Sequence, residues 1–72
     1  MLNEIYDRKG ERIGICIGDT ESGKIYDDRG HYLGRFYDHV ILNPEGILKG
    51  YYNGENLLEA FKILMIDYVM HY

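Results

Sequence analysis

The chain has 72 residues, a single cysteine and a net charge of −4, and its acidic and basic residues are interleaved rather than clustered. One cysteine excludes an internal disulfide, the lack of a basic patch argues against a nucleic-acid partner, and no apolar run approaches the ~20 residues that cross a membrane. The length predicts a single domain, residues 1–72. A core of this size contributes only about 3–5 kcal/mol to the free energy of folding, so we expect the chain to gain further stability by associating into a homo-oligomer.

One phrase occurs three times along the chain. It consists of an Ile, a Tyr or Leu, an Asp or Asn, two polar or turn residues, a Gly, three variable residues and a second Gly, and its copies begin at Ile5, Ile25 and Ile41. The Asp or Asn can bond its own backbone two residues on, and the first Gly can adopt a left-handed conformation. These are the requirements of a type I turn with a bulge, so each copy predicts a β-hairpin.

Counting outwards from these turns predicts the strand register. The turns are expected to be closed by Asp7 facing Glu11, Asp27 facing His31 and Asn43 facing Ile47. The next apolar positions then form the pairs Ile5 with Ile13, Ile25 with Leu33 and Ile41 with Lys49. On the opposite face, Gly14, Gly34 and Gly50 lie diagonally across from Tyr6, Tyr26 and Leu42. A glycine there leaves room for a neighbouring ring to lie over the backbone.

The hairpin repeats are predicted to occupy residues 3–52. The first hairpin spans 3–7 and 11–18, where Ile13, Ile15 and Ile17 alternate with other residues as in a half-buried strand. A polar connection, 19–23, leads to the second hairpin, 24–27 and 31–37, with Tyr32 and Phe36 on the glycine face and Leu33 and Tyr37 on the other. The third hairpin spans 40–43 and 47–52. This spacing predicts a mainly β, antiparallel meander that is barrel-like or flower-like.

A C-terminal helix is predicted at about 54–70, with Asn53 or Asn56 as its cap. One apolar face follows the helical period and consists of Leu57, Leu58, Phe61, Leu64, Met65, Tyr68 and Tyr72. Ile63, Ile66 and Met70 form a second apolar strip among charged residues. We expect the first face to cover the sheet and the second strip to be an interface with another copy of the chain.

Few residues are candidates for catalysis or metal binding. Cys16, His31 and His39 match no zinc or calcium spacing, and His31 just past a hairpin turn is expected to be solvated. Ser22 beside Gly23 is typical of a turn, and no glycine-rich loop opens a helix. We therefore expect no cofactor, no metal and no enzymatic activity.

Ten aromatic residues, eight of them Tyr, are many for this length. Exposed rings on a sheet can stack on sugars or bases, and Tyr32, Phe36, Tyr51 and Tyr52 are candidates for such a surface. An alternative function is therefore small-ligand binding, for example of carbohydrate. We favour a place for these rings in the core or an interface, because so short a chain has little else to bury.

The repeated Ile-Tyr-Asp-x-x-Gly-x-x-x-Gly phrase, followed by one short helix, resembles the small bacterial family of 4-fold beta flower proteins. The resemblance covers most of the chain and implies hairpin petals around a pseudo-symmetry axis, with no assigned activity. Three clear copies are present where the family pattern has four. The Tyr-Asp-x-x-Gly core is also similar to YD-repeat proteins, whose arrays are much longer, and to PRC-barrel domains, which are of similar size.

The N-terminus has neither a basic region nor an apolar run, so no signal peptide is predicted. A free cysteine without an export signal favours the cytoplasm. Taken with the second apolar strip of the helix, the sequence predicts a cytoplasmic, oligomerising or protein-interaction module without catalysis.

Overall fold

The computed structural model, which describes residues 1–19 and 21–71, contains one sheet of six antiparallel strands followed by a helix. The elements are β1 (Leu2–Tyr6), β2 (Arg12–Gly18), β3 (Ser22–Asp27), β4 (Tyr32–Tyr37), β5 (Val40–Leu42), β6 (Leu48–Tyr51) and α1 (Leu57–His71). The strands lie in chain order across the sheet, so the predicted meander with a C-terminal helix is confirmed. Within the described residues, the helix is not long and apolar enough to cross a membrane.

The three repeats form the hairpins β1–β2, β3–β4 and β5–β6, and their turns use the predicted chemistry. In the first turn, Asp7 N–H donates to the Glu11 carbonyl at 2.9 Å, and Asp7 Oδ1 accepts bonds from the N–H groups of Lys9 and Glu11. Asp27 and Asn43 make the same bonds in the other two turns. The expected left-handed glycine is present as well, since Gly10 has a φ of 86°.

The register beyond the turns differs from the prediction, because each hairpin contains a β-bulge. Ile5 lies opposite Gly14, Ile25 opposite Gly34 and Ile41 opposite Gly50. The counted register therefore holds next to the turns, where Tyr6, Tyr26 and Leu42 face Arg12, Tyr32 and Leu48, and it is wrong by one residue from Ile5, Ile25 and Ile41 onwards. A bulge sets two residues of one strand against one of its partner, so simple counting fails beyond it.

The bulges turn the residue before each second glycine toward the helix. Leu33 is fully buried, Ile13 packs against the core and Lys49 reaches a carboxylate of the helix. Predicting that Leu33 shares the face of Tyr37 was therefore incorrect. The β2 pattern is inverted too: Gly14 and Cys16 are buried, while Ile17 is 47% exposed.

The sheet curves around α1, which contacts the edge strands β1 and β6 as well as β4 and β5. The second glycine of each repeat receives one helix side chain, in the pairs Phe61 on Gly14, Leu64 on Gly34 and Ile63 on Gly50. A Cβ built at Gly14 would lie 2.5 Å from Phe61 Cε2. The repeat thus forms a docking surface for the helix, and the ring over Gly14 comes from the helix rather than from a neighbouring strand.

The helix begins at Leu57 rather than at 54, because Asn56 is its N-cap: Asn56 Oδ1 accepts a hydrogen bond from Glu59 N–H at 3.0 Å. Asn53 instead organises the preceding turn. The predicted core-facing residues pack as expected at Leu57, Leu58, Phe61, Leu64, Met65 and Tyr68. Tyr72, and Thr20 of the 19–23 connection, lie outside the described residues.

Candidate functional site

The side of α1 that faces away from the sheet carries three large exposed apolar residues. Ile66 is 62% exposed, Val69 71% and Met70 73%. Two of them belong to the strip predicted from the sequence, whereas Ile63 is half-buried because it packs on Gly50. Val69 was missed, although its position three residues after Ile66 places it on the same side of the helix. We call Ile66, Val69 and Met70 the helix strip.

The helix strip is confined to the C-terminal half of α1. In the N-terminal half, the outward positions are occupied by charged residues, Glu59 and Lys62, which are both exposed. Asp67 is adjacent to Ile66 in the chain but faces the sheet and is 6% exposed. The outward surface therefore changes along one helix from charged to apolar.

A buried carboxylate fixes this half of the helix to the third hairpin. Asp67 Oδ1 lies 3.0 Å from Lys49 Nζ and 3.6 Å from His71 Nε2, and Asp67 Oδ2 accepts a hydrogen bond from Asn43 Nδ2 at 3.3 Å. The hydrogen bond from Lys49 lowers the pKa of Asp67 despite its burial, with further help from Asn43 and His71. The bulge in β6 turns Lys49 toward this carboxylate, and the helix strip lies on the side of the helix away from it.

A second buried carboxylate, Asp27, connects the helix to the second hairpin through His31. Asp27 Oδ2 lies 2.8 Å from His31 Nδ1, and the His31 ring stacks on Tyr68 with 5.7 Å between ring centroids. Burial raises the pKa of Asp27, but hydrogen bonds from the His31 ring and from the N–H groups of His31 and Arg29 outweigh it and lower the pKa overall. The sequence predicts a solvated His31, and its side chain is 51% exposed, but it also contacts Asp27 and Tyr68, which the sequence did not indicate.

The four aromatic residues considered as a ligand surface do not all come together, although two of them are in contact. Phe36 is 2% exposed and packs on Tyr52 at 4.4 Å on the helix side of the sheet. Tyr32 lies against Tyr26 at 5.4 Å on the outer face, and Tyr51 is 74% exposed. Because Phe36 is in the core, these residues do not form one exposed platform.

One cleft lies at the end of the sheet opposite the three repeat turns. It has a volume of about 490 Å³ and is lined by Glu21, Ser22, Tyr37, Asp38, His39 and Tyr52. Asp38 and His39 form the β4–β5 turn with φ values of 49° and 68°, in a position where Asn-Gly is usual. His39 Nδ1 lies 3.3 Å from the Tyr52 carbonyl oxygen, so the turn is held against the end of β6.

Within residues 1–19 and 21–71, no group of three or more His, Cys, Asp or Glu side chains is placed to hold a metal ion. Cys16 is a buried thiol, and burial raises its pKa, which is the opposite of what a nucleophile needs. No family model, no curated protein and no solved structure matches the chain.

Proposed function

We propose that the protein is a non-catalytic association module that uses the helix strip to bind a second copy of the same chain. One observation carries this proposal: three neighbouring apolar side chains, Ile66, Val69 and Met70, are each more than 60% exposed on one side of the helix. Single exposed apolar residues are ordinary in soluble proteins, whereas grouped ones generally mark an interaction site.

A second copy is the partner we favour because the helix strip can pack on itself. Two chains related by a two-fold axis place the same patch in contact with itself, and apolar side chains bring no like charges together. A stable dimer buries about 800 Å² per partner, which is about one sixth of the 4906 Å² that this chain exposes. The interface therefore extends beyond the helix strip.

The test is the molar mass in solution, measured by light scattering over a dilution series. The proposal expects a stable multiple of 8.5 kDa for the natural chain and a mass of 8.5 kDa for Ile66→Asp, with its circular dichroism unchanged. Ile17→Asp is the matched control, because Ile17 is also exposed but lies on the outer face of the sheet. A natural chain that is monomeric at every concentration would overturn the proposal. A result in which Ile17→Asp dissociates the oligomer and Ile66→Asp does not would overturn it as well.

We also propose a protein family and a cellular location, each supported by one structural feature. Three equivalent hairpins arranged around one helix support membership of the 4-fold beta flower family, with three petals in this chain. The buried, unpaired thiol of Cys16 supports a cytoplasmic location.

A second candidate function is the binding of a small polar ligand such as a carbohydrate. The cleft that contains Tyr37, Tyr52, Glu21 and Asp38 supports it, because rings and carboxylates suit the faces and hydroxyls of sugars. Its volume of about 490 Å³ also lies within the usual range of small-molecule sites. A monosaccharide titration followed by NMR tests this function. It is expected to show full affinity for Ile66→Asp and lost affinity for Tyr37→Ala.

A further inference from the structure

Two cations face each other on the outer side of the sheet, away from the helix. Lys24 of β3 is the direct cross-strand partner of Arg35 of β4, and both are exposed. Like charges in directly opposite positions destabilise a sheet. Among the described residues neither has a carboxylate within 4 Å, since the ion pairs found are Arg12–Glu4, His31–Asp27, Lys49–Asp67 and His71–Asp67. Within residues 1–19 and 21–71 the pair therefore lacks a counterion.

The guanidinium of Arg35 is held in place by an aromatic ring. Arg35 Cζ lies 5.1 Å from the centroid of the Tyr37 ring, two residues along the same strand and on the same face. This contact restricts the side chain but uses none of its five N–H donors. Arg35 is consequently oriented in advance and still able to bind an oxyanion with two parallel hydrogen bonds.

The two cations line a cleft of about 330 Å³, which we call the cationic cleft. Its lining includes Ile17, Ser22, Lys24, Arg35 and Tyr37. Ser22 adds a hydroxyl donor beside the cations, while Ile17 and Tyr37 supply apolar surface at its sides. Positive charge, directed donors and apolar surface thus occur together in a volume that suits a small molecule.

We propose that the cationic cleft binds a small organic molecule that carries an oxyanion, either a carboxylate or a phosphate, next to a flat apolar part. Lys24 and Arg35 bind the oxyanion, Ser22 donates a further hydrogen bond, and the apolar part lies against Ile17 and Tyr37. Bound anion also cancels the repulsion between the two cations, so the ligand stabilises the fold that it binds.

The surroundings of the cationic cleft favour a small ligand over a polyanion. The chain has a net charge of −4, and the neighbouring cleft, which shares Ser22 and Tyr37, contributes Glu21 and Asp38. Nucleic acid depends on several Lys or Arg contacts to phosphates. Two cations with acidic residues nearby suit a small ligand that carries one or two negative charges, rather than a polyanion.

The test is a titration of the folded chain, followed through its backbone amide NMR signals, with benzoate, phenyl phosphate, inorganic phosphate and uncharged benzyl alcohol. We expect saturable shifts at Ile17, Lys24, Arg35 and Tyr37 with benzoate or phenyl phosphate, and the tighter of the two identifies the oxyanion. Phenyl phosphate is expected to bind at least about fivefold more tightly than inorganic phosphate, because it also buries apolar surface. Benzyl alcohol is expected to give no saturable shift at these residues.

The matched variants separate the cationic cleft from general charge effects. The double variant, Lys24→Gln together with Arg35→Gln, is expected to bind benzoate or phenyl phosphate about tenfold or more weakly, because a charge-assisted hydrogen bond is lost at each position. Lys62→Gln removes an exposed cation from the helix and is expected to change nothing at the cleft. Lys24→Gln alone is expected to raise the urea midpoint of unfolding, since it relieves the repulsion. The proposal fails if no probe gives saturable shifts, if inorganic phosphate binds as tightly as phenyl phosphate, or if the double variant binds normally.

Discussion

Leu64 of the helix packs directly on the backbone of Gly34. A Cβ added to this glycine would lie 2.8 Å from Leu64 Cδ2 and closer still to the carbonyl oxygen of Leu42. Gly34 also has a φ of 143°, which residues with a side chain rarely adopt. The second glycine of the repeat is therefore required by the approach of the helix and by the bulge, rather than by the turn.

Replacing Gly34 by alanine is expected to lower the free energy of unfolding by about 3 kcal/mol, from overpacking and backbone strain together. Gly50→Ala is expected to cost about 1 kcal/mol or less, because only the flexible end of Ile63 lies within 3.4 Å of the new methyl group. Urea unfolding followed by circular dichroism measures both. The control is Gly30→Ala, which has a φ of 89° but nothing within 4 Å of the added Cβ, so it reports strain alone. Equal costs at Gly34 and Gly30 would contradict the packing argument.

Asp67 makes the stability of the protein depend on pH in the acid range. Its pKa in the folded chain is lowered, chiefly by the hydrogen bond from Lys49. A carboxylate with a lowered pKa in the folded state contributes stability above its unfolded pKa of about 4 and loses it as the pH falls through the folded value. When the pH is lowered below about 4, the urea midpoint of the natural chain should therefore decrease. The urea midpoint of Asp67→Asn should decrease less over the same pH range.

At neutral pH, Asp67→Asn is expected to cost about 2 kcal/mol, because it leaves Lys49, whose side chain is 28% exposed, without its counterion. Asp28→Asn serves as the control, since it removes one carboxylate from an exposed turn position. If both variants show the same stability and the same acid dependence, Asp67 does not anchor the helix.

The equivalent turn residues Asp7 and Asp27 are expected to differ in energetic importance. Both accept the same two backbone hydrogen bonds, but Asp27 is 7% exposed and also binds His31. We expect Asp7→Ala to cost about 1 kcal/mol and Asp27→Ala about 2–3 kcal/mol. Urea unfolding of Asp27→Ala, His31→Gln and the double variant gives the coupling between the two side chains. A coupling near zero would show that the difference comes from burial alone.

Much of the fold is local and could be predicted from the sequence. The turn chemistry at Asp7, Asp27 and Asn43 and the helical period from Leu57 to Tyr68 are set by neighbouring residues, and both are confirmed. The bulges are different, because the pattern of Ile13, Leu33 and Lys49 does not show that each is the extra residue of its strand. Once that single residue is missed, the cross-strand pairs beyond it are wrong by one residue, and the bulge residue itself is assigned to the wrong face.

The same error explains what was missed in the candidate sites. Lys49 was placed opposite Ile41, so its ion pair with Asp67 could not be foreseen. Phe36 was assigned correctly to the glycine face, but that face is the one the helix covers, so the ring is buried. The Lys24–Arg35 pair follows from the true register alone, since only the alignment of β3 with β4 places the two cations opposite each other.

The inverted faces of β2 lead to a direct chemical test. Cys16 is 1% exposed and burial raises the pKa of its thiol, whereas the next residue, Ile17, points to the outer face and is 47% exposed. The natural chain is expected to react with a thiol reagent only as it unfolds, because a buried, protonated thiol is unreactive. Ile17→Cys is expected to add one thiol that reacts at once in the folded protein. Rapid labelling of Cys16 without denaturant, or slow labelling of the cysteine at position 17, would contradict the assignment of the two faces.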